Sequence, residues 1–353
     1  MKIMIFTKYN STGPSSYYRN YQLIDKMSND IYVQTQYFWG EYYFKYVLKR
    51  HGIMKKFFMS PALIFGWAKR IFTIIFMIFD YDIIKIEKDL LPGLPVFLEY
   101  YIRYILKKKI IYEFDDAVFL TNFPRNKTDK MIKVAHSIIA GNELLANYAL
   151  NHNENVHIIP TGINFDLYST YIKKKCCNPH KITIGWIGTS GGLKFVKSIE
   201  PALIKIEKEG IPFEFVLICN EDLEMSIKSK TFIKWERQSA DLEMSKFDIG
   251  IMPLDDDEFS KYKCGFKIIQ YMAMKIPVVA SPIGVNKNII KNGYNGFLAH
   301  TVDEWEFCLK ELILDSTKRN NFAEIAFAES KNVFDTNTLS VQYEEVYRET
   351  ALI

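Results

Sequence analysis

The chain has 353 residues, of which 48% are hydrophobic and 24% charged. Single hydrophobic cores stop growing near about 250–300 residues, so this length predicts two domains, and the balanced composition excludes intrinsic disorder, collagen-like repeats and a disulfide-stapled miniprotein. The net charge of +4 is too small to imply nucleic-acid binding. Its distribution is uneven: residues 1–180 hold 24 Lys and Arg against 15 Asp and Glu, and the remainder holds 21 against 26. The five cysteines form neither a CxxC pair nor a Cys/His cluster of zinc spacing, and no signal-peptide pattern precedes them. A reduced, cytoplasmic setting is therefore expected. The longest apolar run, residues 71–79, falls short of the roughly 18–20 residues that span a bilayer, so no membrane crossing is expected.

Residues 2–6 are a short apolar run followed by the polar stretch 7–16 with Gly13-Pro14, the pattern of a buried parallel strand feeding a loop and a helix. Runs at 31–33, 83–85, 109–112, 137–140 and 156–159 repeat it, most of them separated by helix-length segments. Residues 173–180, basic and proline-containing, read as a linker. The series then restarts with a strand at 182–187, a glycine-rich turn at 188–192, a helix over 195–210, and strands at 213–219, 232–235, 248–252, 277–280 and 296–298. Strands alternating with helices predict two doubly wound, Rossmann-like parallel-sheet domains, 1–172 and 181–335, with a ligand in the cleft at the carboxyl ends of their strands. The last segment, 336–353, spaces Leu339, Tyr343, Val346 and Tyr347 as a helix does. That helix can return to either domain and is assigned to the N-terminal one.

Strand 182–187 runs into Gly188, Gly191 and Gly192, with Lys194 opening the next helix. Glycines let a backbone approach a phosphate closely, and a helix start adds N–H groups, a positive dipole end and here a cation. The same residues also suit a plain strand-to-helix turn. Further on, Gly265 opens a helix on which Lys267 and Gln270 stand three apart, hence on one face. They suit a nucleoside diphosphate, the lysine for phosphate and the amide for ribose hydroxyls, or are simply exposed polar residues.

Asp115 and Asp116 end the run Ile110-Ile-Tyr-Glu-Phe-Asp-Asp. Carboxylates at the end of a parallel strand fit a site for sugar or acceptor hydroxyls, or the cap of the next helix. Asp255, Asp256 and Asp257 have the form of a DxD metal motif, and His136 reads as structural. The basic segment 45–58, followed by 67–72, mixes cations with aromatic residues. It suits either the surface of an anionic leaflet or a core helix with a solvated basic face.

The stretch Gln270-Tyr-Met-Ala-Met-Lys-Ile-Pro-Val-Val-Ala280, followed by Asn292-Gly-Tyr-Asn-Gly296, resembles the signature of family 4 glycosyltransferases. These are GT-B-fold enzymes in which a glutamate, seven residues and a second glutamate precede a Met-Ala-x-Gly-x-Pro-Val-Val-Ala segment. Gly185-Trp-Ile-Gly-Thr-Ser190 and Asp248-Ile-Gly-Ile-Met-Pro-Leu254 sit where that family has its phosphate loop and the strand before the signature. The first half is similar more loosely, through Gly13-Pro-Ser-Ser-Tyr-Tyr-Arg19 and Ile159-Pro-Thr-Gly-Ile-Asn164. Gln270 replaces the second glutamate, and Tyr262 stands where the first belongs. Asp115 and Asp116 stand where the family commonly has a histidine that contacts the donor sugar.

The resemblance implies a glycosyltransferase moving a sugar, with retention, from a nucleotide-sugar donor to a saccharide or lipid-linked glycan in building a bacterial surface glycan. It implies a donor site of Gly188, Thr189, Lys194, Lys263, Gly265, Phe266, Lys267 and Gln270. Catalytic roles fall to Asp115, Asp116 and Glu258, the last taking over from the missing first glutamate, and Gly13 and Arg19 belong to the acceptor side. No metal and no cofactor are expected, because lysines and helix dipoles neutralise the diphosphate in that fold. Nucleic acid is not an expected partner, whereas the basic half is expected to touch an anionic membrane from the cytoplasmic side. Loss of both glutamates also suits a non-catalytic nucleotide-sugar or glycan-binding protein, and a GT-B-fold sugar-nucleotide epimerase is a third reading. An NAD-dependent dehydrogenase is not expected, because neither half has GxGxxG followed by an acid about 20 residues on.

Overall fold

A computed structural model describes residues 1–48, 50, 52–172 and 181–353. It divides into two units, Met1–Gly162 with Thr336–Ile353, and Ile163–Asp335. The expected linker 173–180 lies outside the described residues. Residues 163–172, expected with the first domain, belong to the second unit. There Phe165 packs edge-on against Phe327 at 5.6 Å, and Ile163 pairs with Asp335 in an isolated bridge.

The first unit is built on β1 (Lys2–Tyr9), β2 (Tyr32–Trp39), β3 (Ile83–Glu87), β4 (Lys109–Phe114), β5 (Ser137–Ala140) and β6 (Val156–Ile158). They form one sheet in the order β2-β1-β3-β4-β5-β6, with every pair parallel. Parallel strands covered on both faces read as continuous apolar runs, which is why the central strands are legible in sequence. Strand β2 runs well past the expected 31–33: it lies at the sheet edge, where half-exposed Gln34, Thr35 and Gln36 are tolerated.

In-register neighbours of a parallel pair point to the same face. Ile3, Ile5, Ile83, Ile111 and Ile139 therefore share one face, and they form a core with Leu339, Tyr343, Val346 and Tyr347 of the C-terminal helix Thr336–Leu352. That helix thus belongs to the first unit. Toward the carboxyl ends of the strands, the same face turns polar. Glu113 pairs with Arg19 at 2.5 Å and Lys85 at 2.7 Å and accepts the Tyr343 hydroxyl proton; all four residues are 1% exposed. Burial alone would raise the Glu113 carboxyl, but Lys85 and Arg19 beside it hold it below the usual range.

The second unit contains β7 (Ile182–Ile187), β8 (Phe213–Cys219), β9 (Lys230–Lys234), β10 (Ile249–Met252), β11 (Val278–Ala280) and β12 (Phe297–Leu298). Their order is β12-β11-β10-β7-β8-β9, and every pair is again parallel. The helix expected over 195–210 is two pieces, Leu193–Ser198 and Glu200–Lys208, because Pro201 has no N–H to continue the first ladder. Gly250 lets the helix Phe266–Ala273 approach the sheet closely, since a Cβ there would lie 2.6 Å from Tyr271, and Gly185 makes room for the Phe247 ring, 2.1 Å from where its Cβ would lie.

The helix Gly52–Phe76 is long and apolar enough to cross a membrane, by length and composition alone. Counting uninterrupted apolar residues misses it because Lys55, Lys56, Lys69 and Arg70 break the run.

Breaking a buried ion pair by removing one partner costs about 3–5 kcal/mol, because the other charge stays buried and uncompensated. Glu113→Gln should lower unfolding stability by that amount in urea titrations, and Tyr343→Phe by about 1 kcal/mol.

Candidate functional site

In an open α/β sheet, ligands bind beyond the carboxyl ends of the strands, where successive connections turn to opposite sides. In the second unit this point lies between β7 and β10, and in the first between β1 and β3.

Gly188 and Thr189 follow β7. A Cβ on Gly188 would lie 2.4 Å from the Trp186 ring and 3.0 Å from Cε of Lys267, and one on Gly192 would lie 2.8 Å from the same ring. Bare backbone therefore lies against Trp186, with the Lys267 stem alongside Gly188. The Lys267 ammonium sits 5.3 Å from the centre of the Trp186 ring. Lys267 occupies the first turn of the helix Phe266–Ala273, whose N-cap Gly265 has φ +63. A side chain at 265 would be strained in that conformation and would lie 2.6 Å from Ile289.

The electrostatics of this corner are unusual for an acidic half. Lys194 pairs with Asp257 at 3.3 Å and lies 4.6 Å from the Phe195 ring, while Lys263 lies 5.3 Å from the same ring. Lys267 has neither a carboxylate nor a hydrogen-bond acceptor among the described residues. Burial, reinforced by Lys263, pushes its ammonium down to about 8. A desolvated, uncompensated cation at a glycine-lined helix start is poised to take an anion.

Other expected residues are placed differently. Gln270 is buried, and its amide donates to the Tyr168 hydroxyl at 3.1 Å, which in turn reaches Asp241 at 3.1 Å. It is a packing residue in this arrangement rather than an open ribose contact, because residues 163–172 supply its partner. The Gly188 N–H is spent on the Ile218 carbonyl at 3.0 Å, and that of Ser190 on Asn220 at 2.9 Å. Phe266 is half-buried beside Gly265, and Glu258 is exposed at the first position of the short helix Glu258–Lys261.

The neighbouring acids are engaged locally. Asp257 caps that short helix by accepting from Ser260 at 2.7 Å, and Asp256 lies 3.4 Å from Lys261. Among the described residues, no group of three or more His, Cys, Asp or Glu is gathered to hold a metal ion. A cavity of about 210 Å³ opens beyond β10 and β11, beside Leu254, Asp255, Asp256, Ser281, His300 and Trp305. It is smaller than the roughly 300–1,000 Å³ of typical ligand pockets.

In the first unit, Asp115 and Asp116 do stand together beyond β4, but they close on a residue the sequence did not single out. The Lys88 ammonium pairs with Asp115 at 2.6 Å and Asp116 at 2.7 Å and reaches the Ser15 hydroxyl at 3.1 Å. Lys88 follows β3 with φ +61, a conformation costing a non-glycine residue roughly 1–2 kcal/mol. The one signal for it in sequence was the charge-bearing end of an apolar run, Ile83-Ile-Lys-Ile-Glu-Lys88. Arg19 is not on an acceptor surface. It is buried, and beyond Glu113 it donates to the Ile159 carbonyl at 2.7 Å. Gly13 serves close packing, since a Cβ there would lie 2.3 Å from Tyr9.

Residues 182–315 match the family model described as Glycosyl transferases group 1. No curated protein matches the chain in sequence. Anabaena Alr3699/HepE in complex with UDP-glucose is similar at 16% identity and TM-score 0.70, over 99% of this chain and 100% of that one. Sucrose-phosphate synthase (tll1590) from Thermosynechococcus elongatus is similar at 12% identity and TM-score 0.68, over 99% and 98%. A glycosyltransferase from Rickettsia africae ESF-5 follows at 16% and 0.65, over 99% and 98%. At these identities the likeness establishes the fold, which is the two-domain GT-B fold of glycosyltransferases.

A lysine whose ammonium is disfavoured by folding destabilises the protein below its lowered pKa, where it must stay charged. Lys267→Met should therefore stabilise the ligand-free protein at pH 7, on the order of 2 kcal/mol, while removing the attraction for an anion at this corner. Calorimetric affinity of the wild type for sulfate, an anion whose own charge is constant over this range, should be level below pH 7 and weaken as pH rises through about 8, where the free protein loses the cation. Lys267→Arg should remove that pH dependence.

Proposed function

We propose that the protein is a glycosyltransferase that takes a sugar from a nucleoside-diphosphate donor held by the second unit. The observation that carries this reading is Lys267, desolvated beside Gly188 and without a counter-charge among the described residues, within the stretch that matches the group 1 glycosyltransferase model. As the bond between the sugar's anomeric carbon and the phosphate oxygen breaks, negative charge grows on the leaving diphosphate. A pre-placed cation in a water-poor corner stabilises that charge more than it stabilises the intact donor. Lys194 and Lys263 add to the field, and Trp186 closes the apolar side.

Asp115 and Asp116, held by Lys88, supply carboxylate oxygens for the hydroxyls of a saccharide or lipid-linked acceptor. Asp116 keeps 44% of its side chain exposed, enough to be reached from solvent. Retention of configuration and a role in making a surface glycan follow the family 4 resemblance. UDP-sugars are the first donors to test, because the HepE structures hold UDP and UDP-glucose.

A thermal-shift panel of UDP-, GDP-, ADP- and CMP-sugars should single out one nucleotide, since ligand at 100 times its dissociation constant adds about 2.7 kcal/mol. Mass spectrometry of the same mixtures should then reveal transferred or slowly hydrolysed sugar. If no nucleotide sugar shifts the transition, the reading fails. Binding without turnover would make this a sugar-nucleotide-binding protein, and an isomerised donor would make it an epimerase.

A further inference from the structure

We propose that the outward side of the helix Gly52–Phe76 is a seat for an anionic membrane leaflet, on which the first unit rests without crossing it. At 100° per residue, Ile53, Phe57, Ile64, Phe65, Phe72 and Phe76 fall in a single stripe, and they are 57–85% exposed. The buried residues of the helix, Gly66, Arg70, Thr73 and Ile74, fall roughly opposite. A surface helix of a water-soluble domain turns an apolar stripe inward and a polar one outward. Here the exposed side is the apolar one, so burial against its own domain does not explain it.

The inward side also decides how the helix can meet a bilayer. Arg70 is fully buried and donates to the carbonyls of Thr7 at 2.6 Å, Asp89 at 2.7 Å and Leu90. Trp67 donates to the Pro92 carbonyl at 3.0 Å. Spanning a bilayer would pull Arg70 into hydrocarbon and leave those carbonyls without their donor, whereas lying flat changes nothing on that side. The apolar surface continues beyond the helix through Phe79, which is 53% exposed and whose carbonyl accepts from Lys108 at 2.5 Å.

Charge selects the occupant. Residues 42–79 contain seven Lys and Arg and no Asp or Glu; Arg70 is committed to the core, while Lys45 and Lys56 are exposed and Arg50, Lys55 and Lys69 half-buried. Among them, Arg50 lies over the Phe58 ring at 3.8 Å and Lys69 over Tyr37 at 4.1 Å. A second copy would set these cations against themselves, while an anionic leaflet is their complement, each near-surface cation strengthening binding about fivefold. The inference is independent of the catalytic reading.

The full chain should co-sediment with phosphatidylcholine vesicles containing phosphatidylglycerol, be released by high salt or alkaline carbonate, and stay in solution with phosphatidylcholine alone. Phe57→Asp with Phe65→Asp should lower vesicle binding more than about tenfold, and Lys55→Gln with Lys56→Gln about fivefold per cation. Phe57 and Phe65 are each 70% exposed and all four positions belong to the first unit, so circular dichroism and any nucleotide-sugar thermal shift should stay as in the wild type. The proposal is overturned if the wild type ignores anionic vesicles, if the aspartate variant still binds them, or if carbonate fails to release the protein. It is also overturned if the aspartate pair abolishes a dimer in sedimentation equilibrium, which would give the face to a second copy.

Discussion

The buried carboxylate of Glu113 is the point on which the first unit turns. Arg19 from the segment after β1, Lys85 from β3 and Tyr343 from the chain's last helix all converge on it. An ion pair taken out of water adds little net stability over a well-packed apolar group, but a misplaced one is costly, so such a knot selects one arrangement of its parts. Here it fixes the register of β3 against β4 and holds the C-terminal helix on this sheet rather than the other. The polarity then continues outward. Glu87 accepts from Ser16 at 2.9 Å and Asn20 at 3.1 Å, and the next residue, Lys88, turns left-handed to hold Asp115 and Asp116 at the sheet's carboxyl edge.

The second unit follows the opposite logic. Its important charge, Lys267, lies beside Trp186 and Gly188 with no counter-charge among the described residues, so folding disfavours its charged form until an anion arrives. The Glu113 carboxylate is already engaged by two cations and a hydroxyl, so it is not poised to bind a ligand. A network missing its counter-charge costs stability until a ligand completes it, which is the usual relation between a binding site and the fold that carries it.

Net charge conceals both facts. An overall +4 averages an acid-free, apolar and basic stretch in the first unit with a nearly neutral second unit in which Lys194, Lys263 and Lys267 gather at one corner. Local placement, in surroundings of low dielectric, decides what each half attracts. The basic stretch is distinctive because it carries no acid while its helix leaves an aromatic and aliphatic stripe exposed.

Much of this was legible in the residues. Buried parallel strands announce themselves as apolar runs, as at 2–6 and 182–187, because both faces of such a sheet are covered. Gly188, Gly265 and Lys267 could be named because glycine turns and helix starts are local features with local spacing. What the sequence left open was the partner of each polar group. Arg19 and Gln270 looked available for ligands, yet Glu113 and Tyr168, each about a hundred residues away in the chain, occupy them. Lys88 drew no notice because its partners follow a different strand, and the helix Gly52–Phe76 was hidden by lysines that project from its flanks. Periodicity and turn chemistry act over a few residues and can be read directly. Which charge is buried against which, and which apolar side is left uncovered, is decided only when distant segments pack.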